Sequence, residues 1–353
     1  MSERLEPPRQ SSLAPACHTA DSLLAPGIRD VVRAIREAGA AGPDITTLPL
    51  TEARERYAEQ QRRWLPRMPT GVAVRRFVIP EADTGDVGST ALSAVSVQAA
   101  FGLDDPRRPP LLYLHGGGWV LGSIDTHLAA MAHLALRADV EVIGIDYRLS
   151  PEAAYPLALQ DTLRAWRWMA ASERAATGPC YLAGDSAGAN LAVALMLVLR
   201  DLNGHGREEL ILPMAALLFY GVYAPDENSR SHRRFGSGHF GLSSARMAWF
   251  RQHYLAGADG AAAASHALVS PLRANLGGLP PLLVMSAQCD PLCDDSSALA
   301  RRAKAAGVEV TLSERSGLIH GFLQMADAVP EAMAALDDAA AYLRARVTGA
   351  KAG

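Results

Sequence analysis

The sequence predicts a mixed α/β protein with a mostly parallel central sheet flanked by helices. Three observations lead there. Short apolar runs rich in leucine and β-branched residues recur along the chain, and helical stretches alternate with them. A Gly184-Asp185-Ser186-Ala187-Gly188 turn also sits between a strand-like and a helix-like run. Alternating strands and helices bring the strands parallel and cover both faces of the sheet. Strands buried on both faces then read as continuous apolar runs.

Residues 1–20, with Pro7, Pro8, Pro15 and several charges, read as a disordered tail, and the first thirty residues contain no apolar stretch of signal-peptide type. From Asp21 to about Gly39, Ile28, Val31, Val32 and Ile35 recur at helical spacing, with Gly39 as the stop. A second helix is expected from Thr51 to about Trp64, ended by Pro66, with Arg54, Arg56, Arg62 and Arg63 as a solvated face. These helices, residues 21–70, precede a catalytic domain expected over 71–353. Its strands are placed at Val72–Ile79, about Ala91–Gln98, Leu111–Leu114, Val140–Ile145, Cys180–Ala183, Ala215–Tyr220, Leu282–Ala287 and Val308–Leu312. Helices are expected at His127–Arg137, Leu157–Ala171, Leu191–Leu199 and about Pro330–Arg346. The interval 224–264, rich in Gly, Ser, His and Arg, breaks this rhythm. It is expected to form a cap or lid insertion over the carboxyl edge of the sheet, where ligands bind in open α/β folds.

Composition narrows the function classes. The 353 residues are 49% hydrophobic and 20% charged, ordinary for a soluble globular chain. A formal net charge of −3 argues against nucleic-acid partners and a basic membrane-docking surface. The longest apolar run, Leu191 to Leu199, is about half of what a membrane span needs. Four scattered cysteines do not make a disulfide scaffold. Cys289 and Cys293 lack the second pair that a zinc site requires, so no metal is expected. A cytoplasmic protein is the default, and a homodimer stays open.

The chemistry is carried by four stretches. Gly-x-Ser-x-Gly between a strand and a helix is a nucleophile elbow, lifting Ser186 clear of the backbone. An activated serine needs a base, a group to orient it, and donors for the developing oxyanion. Downstream, the strand Leu282–Ala287 runs into Cys289-Asp290-Pro291-Leu292, which puts Asp290 at a carboxyl end. After the next strand comes Leu318-Ile319-His320-Gly321-Phe322, and parallel strands return both loops to the edge that holds Ser186. The order Ser, Asp, His is the one such folds use. Asp294 and Asp295 are rivals for Asp290, while His205, His232 and His253 read as surface histidines. Upstream, Leu111–Leu114 ends in His115-Gly116-Gly117-Gly118-Trp119, a glycine loop whose N–H groups suit an oxyanion. The N–H of the residue after the serine, Ala187 at a helix N-terminus, is the partner donor such a loop takes. A phosphate loop would need Gly-x-Gly-x-x-Gly or the P-loop lysine, and neither is present.

At these residues the chain resembles the hormone-sensitive-lipase-like group of α/β-hydrolases. The likeness rests on His115–Trp119, Asp146-Tyr147-Arg148-Leu149-Ser150-Pro151-Glu152, Gly184–Gly188, Asp290–Leu292 and His320–Phe322, and covers roughly residues 70–345. Gly122–His127, Phe219–Tyr223 and Asp294–Ser296 are similar to bacterial acetyl esterases. The resemblance implies an α/β-hydrolase fold with residues 21–70 as a helical cap. It further implies a serine carboxylesterase for short-chain, acetyl-like esters. Ser186 would be the nucleophile, Asp290 the orienting acid and His320 the base, and Gly117, Gly118 and Ala187 would supply the oxyanion N–H groups, with no cofactor and a small-molecule ester as partner. Trp119 and Leu121 either help close a small acyl pocket or pack as ordinary core residues. An amidase or metabolite deacetylase with the same triad, or a non-catalytic binding member, are the rival readings. Two departures concern packing: Ala189-Asn190 follow Gly188 where many relatives carry another glycine, and Cys293-Asp294-Asp295 replace Arg-Asp-Glu.

Overall fold

Eight strands form one sheet: β1 (Val72–Ile79), β2 (Leu92–Ala99), β3 (Pro110–Leu114), β4 (Glu141–Ile145), β5 (Tyr181–Asp185), β6 (Ala215–Phe219), β7 (Leu282–Cys289) and β8 (Val310–Ile319). The computed structural model describes residues 21–351, apart from 41, 64–66, 82–89, 104, 106, 207–208, 225–226 and 258–262. The expected tail, residues 1–20, and the helix stop at Pro66 lie outside the described residues. Spatial order is β1-β2-β4-β3-β5-β6-β7-β8. β2 is antiparallel to β1 and β4, and all pairings from β4 to β8 are parallel.

Successive residues of the central strands serve opposite cores. Leu112, Leu114, Leu182 and Leu218 belong to one apolar cluster, whereas Leu111, Tyr113, Tyr181 and Leu217 belong to the other. The first cluster is closed by α4 (Leu157–Ala170), the short α5 (Glu173–Thr177), α6 (Ala187–Gly204) and α9 (Cys293–Ala305). The second is closed by α3 (Ile124–Ala138) and α10 (Pro330–Lys351). Covering both faces in this way explains strands with no polar alternation. Among the described residues no helix is long and apolar enough to cross a membrane.

Several elements run further than periodicity predicts, each for a local reason. α3 starts three residues before His127 because Ser123 and Thr126 form a reciprocal cap. α6 begins directly after Ser186 rather than at Leu191. β8 extends to Ile319, because its segment Ser313–Ser316 carries charged and polar side chains tolerated on an edge strand paired only with β7.

Among the described residues two α-helices precede the sheet, α1 (Pro26–Ala40) and α2 (Leu50–Arg62). Ile28, Val31 and Val32 of α1 are buried as predicted and join Phe322 and Leu323. α2 corrects the expectation of a wholly solvated arginine face: Arg54 reaches across to Glu152, at 2.8 Å for both carboxylate oxygens. The interval 224–264 contains α7 (Arg230–Phe235) and α8 (Ser244–Tyr254). There His232 is another correction, since it is 5% exposed and its Nδ1 lies 2.9 Å from Ser244 Oγ, the hydroxyl next to the Ser243 cap of α8.

The loop after β4 is held by one buried carboxylate. Asp161 on α4 accepts from the Arg148 N–H, Nε and Nη2, each at 2.9 Å. Replacing Asp161 by Ala is expected to cost about 2 to 3 kcal/mol in urea unfolding, because three charge-assisted bonds to a mostly buried arginine are lost together. An unchanged urea midpoint would show that this loop does not depend on Asp161.

Candidate active site

β5 ends at Asp185, α6 starts at Ala187, and Ser186 between them takes φ 54° and ψ −117°. A non-glycine residue with positive φ is strained. Two backbone bonds pin it there, from its N–H to Phe219 O at 2.9 Å and from Asn190 N–H to its carbonyl at 3.2 Å. The turn is tight enough that a Cβ on Gly188 would lie 2.0 Å from the Leu114 carbonyl oxygen. The serine is thereby presented at the carboxyl edge in the middle of the sheet.

Two other strand ends reach it. His320, directly after β8, places Nε2 3.0 Å from Ser186 Oγ, and its Nδ1 lies 2.8 Å from Asp290 Oδ2. Asp290 follows β7, is wholly buried, and accepts from Leu292 N–H at 2.9 Å with its second oxygen. The Tyr220 ring meets the imidazole edge-on, with centroids 4.9 Å apart. The rival carboxylates are engaged elsewhere. Asp294 accepts from Ser231 N–H at 2.8 Å, and Asp295 accepts from Tyr223 and Ala224 N–H at 2.7 Å each. His205 is exposed, His253 is half-buried and His232 is buried within the 224–264 interval, so none of the other candidate histidines joins this chain.

The glycine loop after β3 turns beside the serine. Gly117 has φ 119°, and a Cβ there would come within 2.1 Å of Leu121 O, so the turn excludes any side chain. Among the described residues no hydrogen bond uses the N–H of Gly117, Gly118 or Ala187, and Gly117 and Gly118 line the same cavity as Ser186.

What backs this loop is a polar cluster that the motif does not announce. Asp185, 2% exposed, accepts from Gly116 N–H and Tyr113 OH, both at 2.9 Å, while His127 Nε2 lies 3.4 Å from its other oxygen. Burial alone raises the Asp185 pKa, but the electrostatic pull of His127 and the hydrogen bonds from His127 and Tyr113 outweigh it and hold the carboxyl below its ordinary value. His115 is driven the other way, to about 3 by burial, so it is a neutral imidazole, stacked on Tyr147 at 4.2 Å. Tyr147 OH donates to His115 O at 2.7 Å. The only sequence signal for this cluster is an acid at the x before the serine. Asn190, one of the two departures, has a clear role: its Nδ2 donates to Val222 O and Val269 O, both at 2.9 Å.

Ser186 opens into a cavity of about 480 Å³. Ile35 of α1 and Tyr57 of α2 face it from one side, and Leu242, Met247 and Phe250 from the 224–264 interval. Trp119 and Leu121, the candidates for an acyl pocket, are not part of this lining. The left-handed turn through Gly118 and Trp119, both at φ 62°, sends the indole into the core, where it stacks on Tyr254 at 4.3 Å. Leu121 is completely buried in the same core.

Comparisons with known proteins agree with this fold. Residues 111–324 match the family described as alpha/beta hydrolase fold. The chain is 36% identical over 235 residues to an ethyl acetate hydrolase of Pseudomonas putida, spanning 65% of this chain and 71% of that protein. It is 34% identical over 297 residues to an acetyl esterase of Salmonella paratyphi B, spanning 83% and 86%. The crystal structure of a thermostable esterase from Pseudomonas putida ECU1011 superposes with a TM-score of 0.80 at 28% identity, covering 92% of this chain and 98% of that one.

Asp295 makes the site region pH-sensitive. Burial raises its pKa from 3.8 to about 6, against the pull of the Tyr223 and Ala224 N–H groups. An acid with a raised folded pKa binds its proton more tightly in the native state, so its stabilisation is full below about pH 4 and lost as pH climbs through about 6. The stability of Asp295→Asn relative to wild type, from urea unfolding, should therefore rise across that window. A constant difference would show that Asp295 ionises normally.

Proposed function

The chain belongs to the α/β-hydrolase family, in its hormone-sensitive-lipase-like group, and from that premise we propose that it is a serine carboxylesterase for short-chain acyl esters. The observation that carries this reading is the unbroken contact chain from Ser186 Oγ through His320 to Asp290, beside unused N–H groups in one cavity.

As Ser186 Oγ attacks the ester carbonyl, His320 Nε2 takes its proton. Asp290 fixes the tautomer through Nδ1–H and stabilises the imidazolium. The carbonyl oxygen, now negative, is held by the N–H groups of Gly117, Gly118 and Ala187, the last also favoured by the α6 dipole. A single such donor is worth about 3 kcal/mol in the transition state. Collapse breaks the bond to the alkoxy oxygen, which leaves as the alcohol after receiving the proton from His320. Water then attacks the acyl-enzyme with His320 again as base, releasing the acid and restoring Ser186.

Helices within residues 21–70 act as a cap over this chemistry, and the 224–264 insertion supplies the facing wall. The relatives named for ethyl acetate and acetyl ester hydrolysis support a small acyl group. A cavity of about 480 Å³ is of the size that holds a whole small-molecule ligand, which leaves most of it to the alcohol portion.

Treatment with a fluorophosphonate followed by peptide mapping should place the adduct on Ser186, and Ser186→Ala should lower kcat on the order of a million-fold. Along a p-nitrophenyl series, acetyl and butyryl esters should turn over faster than octanoyl. Labelling at another residue sinks the mechanism, and faster octanoyl turnover sinks the short-chain assignment.

A further inference from the structure

The guanidinium of Arg54 joins three pieces of chain. Its Nε donates to Val120 O at 3.0 Å, its Nη2 to Ser150 O at 3.1 Å, and Nη1 and Nη2 grip the two Glu152 oxygens at 2.8 Å each. Val120 belongs to the oxyanion turn itself, since its N–H and that of Leu121 both donate to Gly117 O. Ser150 is tied to the same turn through its N–H, which donates to Trp119 O at 2.9 Å. Arg54 therefore holds the outer side of the turn whose inner side carries Gly117 and Gly118.

The other end of the connection is α2. One helical turn beyond Arg54 stands Tyr57, and Gln60 and Gln61 follow; all three line the Ser186 cavity. Ala53, beside Arg54, is completely buried. Glu152 is 59% exposed at its side chain, so the ion pair by itself adds little to fold stability. The two bonds to backbone carbonyls are what the arginine supplies in addition. Only a planar fork with several N–H donors reaches both carbonyls and the carboxylate together, and a lysine cannot.

We propose that Arg54 is a positioning residue, fastening α2 to the back of the oxyanion turn so that Tyr57 and the Gly117 and Gly118 N–H groups keep a fixed separation across the cavity. The proposal rests on the serine-hydrolase reading of the site.

The test compares wild type with Arg54→Ala, Arg54→Lys and Glu152→Gln. Three quantities are measured: the rate of Ser186 phosphonylation by a fluorophosphonate, kcat and KM on p-nitrophenyl acetate, and the urea midpoint. Arg54→Ala and Arg54→Lys should slow phosphonylation and lower kcat on the order of tenfold or more, as loss of alignment does, with little change in the midpoint. Glu152→Gln keeps both carbonyl bonds and should stay within about threefold of wild type. If Arg54→Ala does not fold, Arg54→Lys carries the test. Wild-type rates in the arginine variants overturn the proposal, as do losses that simply follow a falling urea midpoint. Phosphonylation reports on the serine whatever ester the enzyme takes. A wild type that is phosphonylated but leaves every p-nitrophenyl ester intact overturns the carboxylesterase reading, while the variant phosphonylation rates still decide the role of Arg54.

Discussion

The site depends on one residue held in an unfavourable backbone conformation. Ser186 at φ 54° and ψ −117° carries strain on the order of 1 to 3 kcal/mol. It stays there because everything around it is close-packed: β5 is buried along its whole length, and most of α6 is buried with it. Relaxing the turn would require α6 to lift from the Leu114 carbonyl, where Gly188 leaves no room for a Cβ. The fold thus supplies the energy that keeps Oγ 3.0 Å from the His320 ring.

Electrostatics around the serine follow from the same packing. Asp185 is a carboxylate one residue from Ser186, the proposed nucleophile, where a free negative charge would oppose a developing oxyanion. Its charge is instead taken up by Tyr113 OH, Gly116 N–H and the nearby His127. The Gly116 bond makes that charge useful, because it anchors the loop whose next two residues face the cavity. A buried acid is tolerable in such a place only with this degree of satisfaction.

Much of the architecture is legible in the sequence because it is written in local signals. Apolar runs mark β3 to β7, a glycine-flanked serine marks the turn, and chain order marks Asp290 and His320. What escapes is whatever depends on three-dimensional neighbours. Arg54 looks like any helix-surface arginine until α2 is docked against Glu152. His232 looks like a loop histidine until α8 covers it. Trp119 sits within the glycine motif, yet a left-handed turn that no side-chain pattern encodes sends it into the core. Residues 21–70 and 224–264 are legible as cover for the ligand edge, but which of their side chains line the cavity is not, since it brings together residues about two hundred positions apart, such as Ile35 and Leu242.

The eight-stranded sheet also distributes the contact chain unevenly. Ser186 leaves β5, which has a partner on each side, whereas His320 leaves β8, an edge strand paired only with β7 and interrupted by a register shift between Ala287 and Cys289. Edge elements with exposed residues open locally at lower free energy than central ones, and β8 is exposed over much of Val310–Ser316, being covered only at Gly317–Ile319, where Ala25 N–H donates to Gly317 O. The proposed nucleophile and base therefore stand on structural units of different durability. Fraying of a single rim strand would disconnect them while the interior stayed folded, so loss of function need not report loss of structure.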